Sequence, residues 1–305
     1  MEPLSESNAT LKSLSGDLAQ VVERSGPAVV AVNARRHLSS SGVCWRDGIV
    51  VTAAHTVRRT DNISVISPQG ATLAATLAGA DPSTDLAVLR VPAAEVSPPL
   101  FGDTDRLEIG HLVIAVGRGA RRGLNATLGI VGVLSGAWRT WAGGLIDRFV
   151  GLNISLHPGA AGGPLIDTHG RVLGINTSAL SRDTVLTIPV STVDRVVNQL
   201  LEKGRMSRGY LGLGMYSIPL PGYLKDSHKL SADSGLIVVS VEQHGPGDRA
   251  GVLLGDVVVA VEGKAVGSVR DLRAFLDPSS VNKTISLSVI RAGEAVELKL
   301  TVGER

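Results

Sequence analysis

The chain has 305 residues, of which 44% are hydrophobic and 3% aromatic, and its 36 glycines with abundant Val, Ile, Leu and Thr favour a β-rich protein with tight turns. The length suits two domains rather than one, and a formal net charge of +2 is too small to indicate binding to nucleic acid or a membrane surface. A single cysteine excludes an internal disulfide, and the scattered histidines argue against a zinc site, so we expect no metal and no cofactor.

The first residues predict a helical arm over 1–24. Apolar side chains recur at helical spacing from residue 9 onward, at Leu11, Leu14, Leu18, Val21 and Val22. No basic segment followed by an apolar run precedes them, and the apolar runs are far shorter than the roughly 20 residues that span a bilayer. We therefore expect a cytoplasmic protein without a membrane span. A periplasmic location is the alternative if a leader has been trimmed.

Residues 25–204 predict a β domain that ends in a helix. Short runs of β-type residues are bounded by Gly, Asp, Asn and Pro, as in "AVVAVNA", "GIVVTAA", "LAVLRV", "HLVIAVG", "RFVGLNISL" and "RVLGINT". This density of strands without intervening helices favours a barrel or a sandwich. The closing segment 191–204 has a helical apolar stripe, with Ser191 or Thr192 as candidate cap and Gly204 as its end.

A second module is predicted over 207–305, after the polar linker "RMSRG". Its β-type runs "YLGLGM", "GLIVVSV", "ISLSVI" and "AVELKLTV" flank one clear helical segment, "SVRDLRAFLD". This pattern predicts a small sheet with one or two helices.

Three positions in the β domain carry candidate chemistry. His55 follows a strand in "VVTAAHTV", and Asp85 begins another in "DPSTDLAVLRV". In "LHPGAAGGPLID", residues 156–167, three glycines surround Ala161, a spacing that lets backbone amides face an oxyanion. Each alone has an ordinary structural explanation, as a core histidine, a turn aspartate or a glycine-rich turn. Together, in this order, they match Ser-His-Asp catalysis without the serine.

These motifs, with "GDTDRLEIGHLVIAVG", "RVLGINT" and the second module, resemble the HtrA/Deg serine proteases over roughly residues 10–303. The resemblance implies a mainly β chain, with a trypsin-like double β-barrel followed by a PDZ domain, and a homotrimer. It implies cleavage of unfolded or damaged protein in protein quality control. His55 would be the general base, Asp85 its orienting partner and Ala161 the residue at the nucleophile position.

The resemblance also assigns binding residues. The amides of Gly159 and Ala161 would form the oxyanion hole. The segment after the loop would pair with substrate backbone and wall the specificity pocket, through Asn176, Thr177, Ser178 and Ala179. In the PDZ module, "GYLGLG" matches the loop that captures a free peptide carboxylate, through Tyr210, Leu211, Gly212 and Leu213, with Arg208 nearby. The alternative is a groove that is occluded or that contacts only the chain's own protease domain.

Ala161 admits two explanations. His55, Asp85 and the loop glycines are intact, which favours an engineered replacement of a nucleophilic serine. The alternative is a natural pseudoprotease that binds peptides as a chaperone-like protein. Ala160 and His157 also depart from the family's usual loop, as does the short segment "SALSRDTVLTIPV".

Two further clusters have simpler interpretations. "VGRGARRG" has the wrong spacing for a dinucleotide loop, so Arg118, Arg121 and Arg122 are expected on a solvated loop near the cleft, with a partner contact as the alternative. Trp138 and Trp141 are expected to anchor a loop.

Overall fold

The protein was analysed as a computed structural model that describes residues 7–36, 38–92, 96–277 and 280–305. Its contacts divide it into two compact units, Met1–Arg205 and Met206–Arg305. The amino-terminal arm belongs to the first unit.

The first barrel forms from the β-branched runs near the start of the chain. Its core contains Val30, Val32, Val50 and Leu89, all fully buried. Six antiparallel strands close in the order β1-β2-β3-β6-β5-β4 within the described residues. The strands are β1 (Val29–Asn33), β2 (Ser40–Arg46), β3 (Ile49–Ala53), β4 (Ile63–Ile66), β5 (Thr72–Asp81) and β6 (Leu86–Arg90).

The second barrel closes in the order β11-β14-β13-β12-β7-β8, and a separate ribbon pairs β9 with β10. Its strands are β7 (Leu112–Gly119), β8 (Gly123–Ser135), β11 (Phe149–Leu152), β12 (Pro164–Ile166), β13 (Val172–Thr177) and β14 (Val185–Pro189), and the ribbon is β9 (Trp138–Arg139) with β10 (Leu145–Ile146). Two closed barrels in one unit confirm the expected double-barrel architecture.

Two helices flank the barrels. Helix α1 (Ser7–Ser25) covers the described part of the predicted arm, whose residues 1–6 lie outside the described residues, and α2 (Val190–Lys203) closes the unit. Neither predicted residue caps α2: Pro189 takes the N-cap position, and the Thr192 hydroxyl accepts instead from the Asp147 N–H at 2.9 Å. Gly204 ends the helix as predicted, in a left-handed conformation with φ of 70° that glycine adopts without strain.

The second unit is a sheet in the order β16-β17-β18-β20-β21, with β19 paired to β18 and a β15–β22 ribbon. Its strands are β15 (Gly209–Tyr210), β16 (Leu213–Pro219), β17 (Ser234–Val241), β18 (Val257–Val261), β19 (Lys264–Ala265), β20 (Thr284–Arg291), β21 (Glu294–Thr301) and β22 (Gly303–Glu304). The helices are α3 (Gly222–His228), α4 (Pro246–Arg249) and α5 (Val269–Arg273), more than the one or two expected. Strand β16 lies at the sheet edge, where one row of its backbone groups is left without a neighbouring strand.

Candidate active site

His55 and Asp85 form a hydrogen-bonded pair. His55 lies in the short turn after β3, and Asp85 lies in the turn that enters β6. The Nδ1 atom of His55 is 2.8 Å from Oδ2 of Asp85, and the His55 backbone N–H donates to Oδ1 at 2.7 Å. The histidine side chain remains 28% exposed whereas the aspartate side chain is 4% exposed. The pair thus has a buried carboxylate that orients a partly accessible imidazole.

Further hydrogen bonds hold the Asp85 carboxylate and the turn that carries it. The Thr177 hydroxyl donates a short hydrogen bond to Oδ2 of Asp85. The turn before Asp85 is built on the buried Asp81, which accepts from the Ser83 hydroxyl at 2.6 Å and the Thr84 hydroxyl at 2.7 Å. Asp85 itself has a φ of 58°, a left-handed conformation that aspartate tolerates better than most residues. The orientation of Asp85 is therefore fixed before any ligand arrives.

The glycine-rich loop consists of two successive tight turns. The Ala160 N–H donates to the His157 carbonyl at 2.9 Å, and the Gly163 N–H donates to the Ala160 carbonyl at 3.0 Å. Gly159 and Gly162 occupy the left-handed positions, with φ of 90° and 86°. A Cβ atom on Gly162 would lie 2.4 Å from a backbone oxygen of the first barrel. These glycines are needed for the shape of the loop and for its contact with the first barrel.

Two backbone donors of this loop are unengaged. Among the hydrogen bonds of the described residues, the N–H groups of Gly159 and Ala161 donate to no acceptor. The neighbouring N–H groups are engaged: those of Ala160 and Gly163 in the two turns, and that of Gly162 with the Asn176 carbonyl at 2.9 Å. The arrangement therefore leaves available the two amides that the family resemblance implies for an oxyanion hole.

Ser41 is a positioning residue that the sequence analysis missed. Its buried hydroxyl donates to the Gly159 carbonyl at 2.9 Å and accepts from the Arg118 N–H at 2.9 Å. Its backbone N–H donates to the Ala161 carbonyl at 3.1 Å. A serine in a strand carries no sequence signal for such a role, because both partners lie far away along the chain.

A cavity of about 490 Å³ opens beside these groups. It is lined by His55, Gly159 and Ala161 on one side and by residues 181–185 on the other. Of the four predicted substrate-binding residues, Ser178 lines this cavity and Ala179 is exposed. Asn176 and Thr177 are fully buried. The Asn176 carbonyl accepts from Gly162 of the glycine-rich loop, and the Thr177 hydroxyl donates to the Asp85 carboxylate. Both side chains therefore lie in the interior, and pairing of this segment's backbone with a substrate stays a prediction.

The predicted peptide loop of the second unit lies at the start of edge strand β16. Tyr210 pairs with β22, and Leu213 pairs with Val241 of β17. Leu211 and Gly212 are buried, but within the described residues their N–H groups have no hydrogen-bond acceptor. Two unengaged amides next to an unpaired strand edge are the elements required to add a peptide strand and hold its carboxylate.

The remaining clusters differ from expectation at two positions. Arg118 points inward rather than into solvent, and its guanidinium donates to the Val29 carbonyl at 2.6 Å and the Gly26 carbonyl at 3.0 Å. Arg121 and Arg122 are exposed in the β7–β8 turn, as predicted. Trp138 packs edge-on against Phe149 at 5.3 Å, whereas Trp141 is 75% exposed, more than expected for a packed or partly exposed anchor.

Comparison with known families assigns both units. The model for the trypsin-like peptidase domain matches residues 40–175, and the model for the PDZ domain matches residues 209–302. A curated relative from Brucella suis, named "Probable periplasmic serine endoprotease DegP-like", is 36% identical over 270 residues, covering 86% of this chain and 52% of the relative. A relative of the same name from Chlamydia pneumoniae is 33% identical over 264 residues, covering 85% of this chain and 53% of the relative. The chain thus spans about half the length of the curated relatives it matches.

Solved structures agree with this assignment. The HtrA-type protease AlgW with a decapeptide matches at 27% identity and a TM-score of 0.72, over 94% of this chain and 98% of that chain. The serine endoprotease from Yersinia pestis matches at 27% identity and a TM-score of 0.71, over the same shares of the two chains.

The expected cytoplasmic location is wrong. The curated relatives are named periplasmic endoproteases. The expectation rested on the first residues of the chain, and these carry no information on compartment because export leaders are removed from mature proteins. Within the described residues, no helix is both long and apolar enough to cross a membrane.

Proposed function

This chain belongs to the HtrA/Deg family, and on that premise we propose that its site is that of a serine endopeptidase acting on unfolded or damaged polypeptides, here without the nucleophilic hydroxyl. The observation that carries the proposal is the oriented His55–Asp85 pair beside two unengaged amides. The names of the relatives support a periplasmic serine endoprotease. A role in protein quality control is part of this proposal.

Each group has a defined task in this reaction. With serine at position 161, Nε2 of His55 accepts the hydroxyl proton while the oxygen attacks the peptide carbonyl. Asp85 keeps the other proton on Nδ1 and stabilises the imidazolium that forms. The N–H groups of Gly159 and Ala161 stabilise the negative oxygen of the tetrahedral intermediate. Imidazolium then donates its proton to the leaving amine.

Ala161→Ser tests the proposal. In a comparable triad the loss of the serine lowers kcat by on the order of a million-fold, so the variant should hydrolyse casein whereas the unmodified chain should not. Activity should fall in acid, because a protonated imidazole cannot accept the hydroxyl proton. Adding His55→Ala or Asp85→Asn to that variant should remove or sharply reduce hydrolysis. Hydrolysis by Ala161→Ser would support the explanation that Ala161 replaces a nucleophilic serine.

A peptide-binding protein without hydrolysis is the second candidate function. The open edge of β16 and the unengaged amides of Leu211 and Gly212 favour it, because neither depends on a hydroxyl at position 161. A folded Ala161→Ser chain that cleaves none of several unfolded substrates would decide for this natural pseudoprotease.

For the PDZ unit we propose capture of peptides with a free, apolar carboxy terminus. Calorimetry with the full chain should show at least a tenfold weaker affinity for the amidated peptide, about 1.4 kcal/mol, because amidation removes the charge that the loop amides hold. Equal binding of the acid and amide peptides would contradict carboxylate capture.

A homotrimer is proposed for the protease unit. Apolar side chains are exposed on the arm and on strand β8, at Leu11, Leu14, Leu128, Ile130 and Val133. A partner surface would remove this area from water. Light scattering should report a trimer for the full chain and a smaller species after deletion of residues 1–24. A full-length monomer at micromolar concentration would contradict the proposal.

A further inference from the structure

One cavity of the protease unit is lined by arginines. Its volume is about 870 Å³. Five arginines from three separate segments line it, Arg35 and Arg36 before β2, Arg59 after β3, and Arg121 and Arg122 in the β7–β8 turn. No aspartate or glutamate is among the described lining residues. The segments that bring these charges together are far apart in the chain, so only the folded barrels create the cluster.

Among the described residues, these positive charges have no acidic partner. Elsewhere in the unit, Arg46, Arg171 and Arg195 each contact an aspartate within 3.2 Å. Within the described part of the chain, none of the five cavity arginines forms an ion pair. Like charges gathered around one concave surface raise its positive potential and attract anions.

Two of the arginines are held in place by backbone carbonyls. Nε of Arg35 donates to the Leu38 carbonyl at 2.7 Å, and an Nη atom of Arg59 donates to the Asn33 carbonyl at 3.2 Å. Nε of Arg59 is buried and, among the described residues, has no hydrogen-bond partner. A buried guanidinium donor without an acceptor is a costly arrangement that a bound anion would relieve.

The arginine cavity adjoins the cavity of the candidate active site. Both are lined by Arg35, Leu38, His157 and Pro158. An extended chain held at His55 and Gly159 therefore reaches the arginines without leaving the surface. This continuity favours a polymeric ligand over a free small anion.

We propose that the arginine cavity binds an acidic segment of the polypeptide substrate, next to the bond positioned at His55 and position 161. The inference rests on the proposed function and specifies its substrate class. Arginine is suited to this ligand because its planar fork pairs with carboxylates through two parallel hydrogen bonds. The described lining residues include no Phe, Tyr or Trp side chain on which nucleobases would stack, which favours a peptide over a single-stranded nucleic acid.

The test measures binding to the unmodified full chain, which has no nucleophile at position 161. Two fluorescent peptides share an apolar half and differ only in four glutamates or four glutamines in the other half. Both are amidated, so that capture of a carboxylate by the PDZ unit does not contribute. The glutamate peptide should bind at least tenfold more tightly at low salt, and added salt should reduce this advantage.

Arg121→Gln with Arg122→Gln should remove most of the advantage, because both side chains are exposed in the cavity. Arg106→Gln with Arg205→Gln is the matched control, since it removes the same charge from exposed positions outside the cavity and should leave the advantage intact. An equal loss of the glutamate peptide's advantage in both double variants would overturn the proposal, because it would show only a general attraction between charges. A single-stranded oligonucleotide that binds more tightly than the glutamate peptide would also overturn it.

The outcomes separate this inference from the proposed function. Equal affinity for the two peptides would refute the acidic preference while leaving the peptidase proposal in place. Hydrolysis by Ala161→Ser is measured independently and decides the proposed function alone.

Discussion

Removal of the Ser41 hydroxyl should weaken both the protease unit and its candidate oxyanion hole. Ser41→Ala leaves the Arg118 N–H and the Gly159 carbonyl without the hydroxyl that now satisfies both. Each hydrogen bond contributes about 1 kcal/mol, and an orphaned buried group adds about 1–3 kcal/mol. Because some of this cost is relieved by relaxation of the loop, we expect the free energy of unfolding to fall by about 2–4 kcal/mol.

Urea titration followed by tryptophan fluorescence measures this change. All three tryptophans lie within residues 1–205, so the signal reports the protease unit alone. Ser40→Ala is the matched control, because the Ser40 hydroxyl is buried yet has no hydrogen-bond partner among the described residues. Its removal should leave stability within about 0.5 kcal/mol or raise it. Equal, small effects of the two substitutions would refute the positioning role of Ser41.

The same substitution has a kinetic consequence. In an active Ala161→Ser chain, Ser41→Ala should lower kcat at least tenfold and change KM less, because a displaced loop misplaces amides that act mainly in the transition state. A rise in KM alone would instead indicate a role in substrate binding.

Three further substitutions or reagents probe separate features. Gly162→Ala should lower the free energy of unfolding by more than Gly70→Ala. Both residues have left-handed backbones, which cost about 1–2 kcal/mol for alanine. Of the two, only Gly162 has atoms within 4 Å of the added Cβ. Burial raises the pKa of the Cys44 thiol to about 11, so a thiol reagent at pH 8 should label one cysteine in denaturant and none in the native chain. Burial opposes ionisation of Asp256, but hydrogen bonds from Arg291 and a backbone N–H outweigh it and hold the carboxyl pKa below its usual value. The resulting stability is present above the unfolded pKa of about 3.9 and is lost as pH falls through the lower folded pKa. Asp256→Asn should therefore destabilise the PDZ unit at pH 7 by about 2–3 kcal/mol. In calorimetry, the stability of this variant should also depend less on pH in the acid range.

The sequence by itself indicated two β-rich modules and the order of the chemical groups, and the resemblance to HtrA/Deg proteases implied the double barrel and the PDZ domain. The β-type runs, the helix ending at Gly204 and the glycine spacing around Ala161 are local properties, and local periodicity and backbone preference suffice to identify them. The order of His55, Asp85 and the glycine-rich loop around Ala161, together with the family resemblance, was enough to predict the pair. This prediction needed no interatomic distance.

Tertiary structure alone decided which groups meet. The Ser41 hydroxyl reaches Gly159 across 118 residues of chain, and the Thr177 hydroxyl reaches Asp85 across 92. Tertiary structure also places the Arg118 side chain in the interior, buries Asn176 and brings five arginines together beside the candidate active site. Such contacts depend on the register and closure of two barrels, and a serine or an arginine has the same local sequence signal whether or not a distant partner comes to lie against it.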